Sequence, residues 1–371
     1  MPRTVAQHLK LYTKPAPNVS KPDLVAVIDP RVIESLEHCT RLPGGFHEMS
    51  LTIAATESEF RDWRQNRLLG HLVLEEPSGR TIWEGRIEAV ALADRWQASL
   101  TARGYWSNLT DAVRNRSYAG GADTGSSIIG DLLDDMHAQT RQLSTSDEHV
   151  AAGPSIVHEY QDDWTIWRIL TDGRRGVASF GSGMGVSMDI AVWEDRKLHY
   201  QPRSAPDVTW YSYLRSENGG GVVHLPLRVD WSDLANAVVV TYEKSGETMR
   251  TPQAIDAKSI ARHIRREWHV PNIGESTSAT AVQRRDTELN RRARFRPTAE
   301  ALAINRVWDG DGIEWPLCRV RAGDVIRIPD FTPSTADLDR VVFDAYRTFF
   351  IEETLCDHIT GVLSVRPDDE A

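Results

Sequence analysis

Leu72-Val73-Leu74, Pro77-Ser78-Gly79-Arg80 and Thr81-Ile82-Trp83-Glu84-Gly85-Arg86-Ile87-Glu88-Ala89-Val90 read in order as a strand, a hairpin loop and a returning strand. Proline presets φ and glycine turns the chain cheaply, so the middle segment suits a hairpin connection. Outward from it the style repeats. Trp96-Gln97-Ala98-Ser99-Leu100-Thr101-Ala102 is a further strand candidate. Upstream, Met49, Leu51 and Ile53 alternate in a run that begins at Phe46, after a turn at Leu42-Pro43-Gly44-Gly45. Period two marks a half-buried strand. Leu24-Val25-Ala26-Val27-Ile28 is a short β run stopped by Asp29-Pro30. Closely spaced short strands argue for a sandwich or small barrel over about residues 1–110.

The pattern then changes. Asp123-Thr124-Gly125-Ser126-Ser127 is rich in capping residues and precedes Ile128, Ile129, Leu132, Leu133 and Met136, which share one helical face. Asp162-Asp163 is read as the N-cap of a second helix over 164–170, ended near Gly173. Val186 to Trp193 and Lys197 to Gln201 read as a hairpin around Glu194-Asp195-Arg196. These form an α+β insert over about residues 111–205. A third unit covers about residues 206–371. Gly219-Gly220-Gly221 leads to Val222-Val223-His224-Leu225, and Ala237 to Tyr242 is a clear strand turned at Ser245-Gly246. Two helices, over about residues 255–296, follow. In the first, Ile260, Ile264 and Trp268 recur at every fourth position, opposite Arg262, Arg265 and Arg266; the second runs from Ser276 to Arg292, and Pro297 ends it. Then β returns: Ala301 to Ile304, a turn at Trp308 to Gly312, Gly323 to Asp330, Arg340 to Tyr346, Phe349 to Ile351, and Val362 to Val365. The fold class expected is mainly β with α+β inserts.

The 371 residues are 40% apolar and 26% charged, with a formal net charge of −10. That balance belongs to a folded globular chain, and the acidic sum argues against a protein that grips duplex DNA through its phosphates. No run reaches the roughly 18–20 apolar residues of a bilayer span. Met1-Pro2-Arg3-Thr4 opens no apolar leader, so cytoplasmic synthesis is expected. Cys39, Cys318 and Cys356 are odd in number and far apart, which reads as buried small hydrophobes rather than a disulfide or zinc framework. The 12 tryptophans are scattered, as core and interface anchors are, with a sugar-binding platform as the second reading.

Catalytic signatures are missing. The chain has no Walker loop, no Gly-x-Ser-x-Gly elbow and no His-Glu-x-x-His helix. Gly181-Ser182-Gly183-Met184-Gly185 lacks the lysine of a phosphate loop and reads as a hairpin connection. His47-Glu48 and His158-Glu159 pair base with acid, but neighbours on a strand face opposite ways. Asp134-Asp135 reads first as a solvated face and Asp162-Asp163 first as a cap; paired carboxylates for a metal or glycoside are the second reading of both. Asp309-Gly310-Asp311-Gly312 fails the calcium-loop pattern and suits a tight turn. Arg284, Arg285, Arg291, Arg292, Arg294 and Arg296, interleaved with Asp286 and Glu288, are read as a solvated face or as partners of an acidic neighbour, with nucleic acid as the second reading. No catalytic, cofactor-binding or metal-ligating residue is assigned, and no cofactor is expected.

The order of Ala237 to Tyr242, the helix Ser259 to Glu267, a second helix before Pro297, and Val320 to Ile328 resembles the hub proteins at the tip of tailed-phage tails. Ile82 to Ile87 and Ala102-Arg103-Gly104-Tyr105-Trp106 suit the opening β domain of that family, and Ala322-Gly323-Asp324 stands where Val-Gly-Asp is usual. The resemblance implies two tail-tube-like β-barrel or sandwich domains plus smaller α+β domains. It implies a homotrimer whose ring joins a six-fold tail tube to the distal tip around the DNA exit channel. Implied partners are the tail tube, distal tail and tape-measure proteins, and tip or receptor-binding proteins, with transient passage of DNA. The expected place is the virion tail tip, assembled in the host cytoplasm. A lumen poor in Arg and Lys follows, with the Arg-rich helices set against neighbouring subunits. The chain stops at Ala371, so any lytic or receptor-binding activity is expected from another protein. A distal tail ring protein, a host-surface adhesin and a cell-wall-degrading tail enzyme are the alternatives.

Overall fold

The computed structural model describes residues 8–13, 23–94, 96–118, 123–134, 136, 143–144, 148–152, 158–171, 188–202, 208–215, 219–229, 234–273, 277–293, 297–299, 301–331 and 348–368. The opening strands are β1 (His8–Tyr12), β2 (Leu24–Ile28), β3 (Ile33–Arg41), β4 (Gly44–Ala54), β5 (His71–Glu75), β6 (Thr81–Asp94) and β7 (Gln97–Arg103). They pair antiparallel as β1–β2, β1–β5, β3–β4, β4–β7, β5–β6 and β6–β7. The alternation read in β4 is real: Met49, Leu51 and Ile53 are buried, as is Trp83 in β6. Helix α1 (Glu57–Asn66), between β4 and β5, was not expected. Its start is a capping box, in which Glu59 N–H donates to Thr56 Oγ1 at 3.3 Å and Thr56 N–H to Glu59 Oε2 at 2.7 Å.

Next come β8 (Val113–Tyr118), α2 (Gly125–Asp134), β9 (His158–Thr165), α3 (Ile166–Thr171), β10 (Met188–Val192) and β11 (Leu198–Pro202). In α2, Ile128, Ile129, Leu132 and Leu133 are buried as the period required, and Thr124 caps its first turn through Ser127 N–H. The second helix departs from expectation. Asp162-Asp163 lies within β9, at the break in its register with β8, and the helix begins four residues later than Asp162. Its cap is Thr165, whose Oγ1 accepts Arg168 N–H at 3.2 Å. A threonine hydroxyl at the end of a paired strand also satisfies a helix N-terminus, so the acidic pair is not needed as a cap. The β10–β11 hairpin turns at Glu194-Asp195-Arg196 as expected. Gly181-Ser182-Gly183-Met184-Gly185 lies outside the described residues.

The remaining strands are β12 (Thr209–Tyr211), β13 (Val222–His224), β14 (Leu227–Val229), β15 (Ala237–Lys244), β16 (Glu247–Arg250), β17 (Ala254–Ile255), β18 (Glu267–Val270), β19 (Pro297–Ala299), β20 (Leu302–Ile304), β21 (Val307–Trp308), β22 (Glu314–Trp315), β23 (Val325–Arg327), β24 (Thr348–Asp357) and β25 (Val362–Pro367). Helices α4 (Ala257–Arg262) and α5 (Ser278–Arg292) belong to the unit around β15. The helix expected to carry Ile260, Ile264 and Trp268 on one face stops at Arg262. Trp268 instead sits in β18, parallel to β15, and Ile264 is 73% exposed. The cause is Asn236, wholly buried, whose side chain donates to Ile264 O at 3.0 Å and accepts Arg266 N–H at 2.8 Å. These bonds hold residues 264–266 extended, where a helix would need the same groups for itself. Arg340 to Tyr346 lies outside the described residues.

Three apolar cores result among the described residues. One joins the opening strands to the closing ones, from Leu9, Leu51 and Leu100 to Leu302, Ile326 and Val365. A pairing between β24 and β3 seals it, with Leu355 opposite Cys39. The second lies between α2, α3 and the β10–β11 hairpin, and the third is a small cluster of Val238, Val240, Tyr242, Val270 and Ala281. The architecture is mainly β with small α+β additions.

Candidate functional site

The β10–β11 hairpin meets the opening strands at a joint built from residues far apart in sequence. Gly45 pairs with Val192 in parallel. Its φ of +85° is cheap only for glycine, and a Cβ there would sit 2.3 Å from Val192 O. At the hairpin turn, Arg196 reaches back to β6. Its Nε donates to Glu84 Oε1 at 2.9 Å and its Nη2 to Glu84 Oε2 at 3.0 Å, a bidentate pair. Nη2 also stands 3.2 Å from His71 Nε2. A guanidinium can only donate, so His71 accepts there and is neutral, with its proton on Nδ1. Burial, and then the Arg196 charge, hold this imidazole down to about 3. Burial also lifts the Glu84 carboxyl above its ordinary range, against the opposing pull of Arg196. The His71 ring stacks on Tyr105 at 5.4 Å.

His71 and Glu84 are residue types for acid–base chemistry, and Nε2 lies 3.6 Å from Oε2. Their side chains are only 2% and 4% exposed, and Arg196 closes the remaining approach. The group ties the turn of the hairpin to β6. A buried pair of this kind adds little net stability but penalises any arrangement that separates it.

A second joint holds the opening and closing strands together. Thr40 and Thr354 hydroxyls lie 2.6 Å apart, and Ala322 N–H donates to Thr40 Oγ1 at 2.8 Å. Glu76 takes both Nε and Nη2 of Arg319. The Ala322-Gly323-Asp324 element sits here. Gly323 has φ +95°, and the Asp324 carboxylate, 2% exposed, accepts Trp210 Nε1–H at 2.7 Å and Arg321 N–H at 3.1 Å. Thus the Gly-Asp step is a turn glycine followed by a buried carboxylate that ties two strands.

The residues weighed in the sequence fall elsewhere. His47 stacks on Trp106 at 5.0 Å, and Glu48 pairs loosely with Arg103 at 3.8 Å. Asp134 is exposed at the end of α2, while Asp135 and the side chains of His158, Glu159, Asp162 and Asp163 lie outside the described residues. Asp309 organises its turn by accepting Asp311 N–H and Ile313 N–H at 2.9 Å and Trp315 Nε1–H at 2.7 Å. Cys39, Cys318 and Cys356 are buried thiols outside any disulfide, and burial pushes Cys39 and Cys318 up to about 12. Of the arginine run, Arg284 and Arg292 both pair with buried Glu288, and Arg285 pairs with Asp286. Arg294 and Arg296 lie outside the described residues, as does the Arg291 side chain.

Two groups of described residues have the types and closeness to hold a metal: His38 with Cys356 and His358, and His149 with Asp195 and His199. In the first, His38 Nδ1 lies 2.7 Å from His358 Nε2, a hydrogen bond between two rings that burial keeps neutral. Large apolar groups stand exposed at β2 (Leu24, Val27) and at the β6–β7 tip (Leu92, Trp96).

No family model matches the chain, and no curated protein matches it in sequence. Solved structures do match, along nearly its whole length. The tail protein from Neisseria meningitidis MC58 superposes with a TM-score of 0.61 at 12% identity, over 98% of this chain and 96% of that one. The 43 kDa tail protein of prophage MuSo2 from Shewanella oneidensis gives 0.59 at 12% identity, over 98% and 100%. Prophage tail protein gp18 from Listeria monocytogenes EGD-e gives 0.57 at 8% identity, over 98% and 95%. The chain therefore has the fold of phage tail proteins, the architecture that its sequence resembles.

Proposed function

We propose that the chain is a structural hub of a phage or phage-like tail tip. In this reading three copies close a ring that joins the six-fold tail tube to the distal tip and surrounds the DNA exit channel. The observation that carries it is the likeness to tail proteins, two of them from prophages, over 95–100% of both chains. The joints support it. They use buried charge to hold β units in one arrangement, as a load-carrying ring subunit requires, and the acid–base pair they contain is buried. The exposed Leu24, Val27, Leu92 and Trp96 are the surfaces proposed to meet neighbouring subunits. The tail tube, distal tail, tape-measure and tip proteins are the proposed partners, and the virion tail tip, after assembly in the host cytoplasm, is the proposed place.

Light scattering on the purified chain, alone and mixed with the tail-tube protein, tests the reading. A species near three times 41.7 kDa, with a central channel on imaging, is expected. A chain that stays monomeric under both conditions overturns it, and glycan binding by that monomer would favour an adhesin.

A further inference from the structure

We propose that His149, Asp195 and His199 form a binding site for a divalent transition-metal ion of the zinc class. Strand pairing brings the three together. Tyr200 N–H donates to His149 O at 3.0 Å and Ala151 N–H to Tyr200 O at 2.8 Å, so the 149–151 segment runs beside β11. This sets the His149 ring against that of His199, centroids 4.3 Å apart and planes within 5°. Asp195, in the turn that opens β11, places Oδ2 before both rings, 3.3 Å from His149 Nε2 and 3.0 Å from His199 Nε2.

Three ligand atoms thus converge within 4.8 Å of one another. With zinc–nitrogen and zinc–oxygen bonds of about 2.0–2.2 Å, ligand atoms around a tetrahedral ion stand about 3.3–3.5 Å apart. Asp195 Oδ2 lies 3.3 and 3.0 Å from the two Nε2 atoms, and the rings, parallel here, would turn about χ2 to aim both lone pairs at one ion. Two imidazoles and a carboxylate favour zinc, nickel or cobalt over calcium or magnesium, which prefer oxygen. The outer arrangement also fits. Asp195 Oδ1 accepts Lys197 N–H at 3.1 Å, which leaves Oδ2 aimed at the rings. The Lys197 ammonium is drawn to Glu148, and the Arg196 guanidinium points to Glu84, so neither cation occupies the ligand atoms. Side-chain exposures of 37%, 32% and 18% for His149, Asp195 and His199 give an ion access and leave a fourth position for water.

The His38–His358 group lacks these features. Its two ring nitrogens, 2.7 Å apart, are well inside the about 3.3 Å that two ligands of one tetrahedral ion need, whereas the 3.0 Å hydrogen bond between Asp195 and His199 is near that spacing. At the proposed site a bound ion would clip the 148–151 segment to the β10–β11 hairpin, whose turn also carries Arg196.

The test uses the untagged full-length chain, stripped with chelator and titrated with zinc chloride in a calorimeter, with melting followed in parallel. Cobalt(II) reports the ligand set through its visible absorption. One zinc per chain, a melting temperature that rises with zinc, and at least about 100-fold weaker binding in Asp195→Asn and in His199→Gln are expected, since even outer partners of a metal site contribute 10–100-fold. His149→Gln, on the most exposed of the three, gives the same loss in a variant whose far-UV circular dichroism is expected to be unchanged. Absence of zinc binding overturns the proposal. So does unchanged affinity in the three variants, or magnesium binding as tight as zinc.

Discussion

In the β scaffold, Thr40 meets Thr354 and Glu76 meets Arg319 across hundreds of residues of chain. In the unit around β15, Val238, Val240, Tyr242, Val270 and Ala281 find their partners within one short stretch. The scaffold buries a large continuous core and seals charged groups inside its joints. The β15 unit has a small core, an exposed β16, and arginines spread along α5. The difference shows what each region can lose. A scaffold joint fails as a whole, because its partners come from separate segments. The β15 unit can loosen locally and leave the scaffold standing.

The largest effect is expected from Gly45→Ala. Left-handed backbone and a Cβ 2.3 Å from Val192 O both act against it, and a loss of about 3–5 kcal/mol is expected in urea unfolding. A loss below about 1 kcal/mol would show that β4 and β10 separate easily and that the scaffold, too, can loosen locally. Arg196→Ala comes next, with about 3 kcal/mol lost because Glu84 is left buried and unpaired. The double variant Arg196→Met with Glu84→Gln should recover most of that loss, which separates uncompensated charge from lost packing.

The pH dependence follows in size. His71 is held at about 3 when folded and returns to about 6.5 when unfolded. Below pH 6.5 the unfolded chain takes up the proton first, so stability falls as the solution is acidified from about 6.5 toward 3. At pH 5 this ring alone should have removed about 2 kcal/mol relative to pH 7.5. Unfolding midpoints of the native chain and of His71→Gln, compared across that window, isolate its share; identical profiles would sink the assignment. The smallest effect is expected in the other region. Glu288→Gln removes the common partner of Arg284 and Arg292 and should cost about 1 kcal/mol. Hydrogen exchange should quicken in α5 and β15 and stay unchanged in β3, β4 and β24. Faster exchange throughout would mean that the two regions unfold as one.

Legibility in the sequence tracked range. The β4 alternation, the Pro77–Arg80 hairpin and α2 were readable because their signals are local: a period, a turn residue, a cap. Helix α1 also carries a local signal, for Thr56 and Glu59 spell a capping box. Strand β3 was hidden for a different reason. His38 and Thr40 are buried polar residues, and they look like surface until their partners His358 and Thr354 are known. The spacing of Ile260, Ile264 and Trp268 was a true helical period overruled by Asn236, which claims the backbone of residues 264–266. Of the joints, the turn at Glu194-Asp195-Arg196 was visible, but its bond to Glu84 spans 112 residues and leaves no mark in either segment.

By itself the sequence determined a chain rich in short strands, free of a recognisable catalytic motif, and similar in element order to tail-tip hubs. Periodicity and turn chemistry are properties of neighbours along the chain, and they survive translation into structure. Tertiary structure alone decided which strands share a core, which charges are buried, and which histidines meet a carboxylate. A buried polar group is tolerated only where a partner satisfies it, and topology supplies that partner from anywhere in the chain.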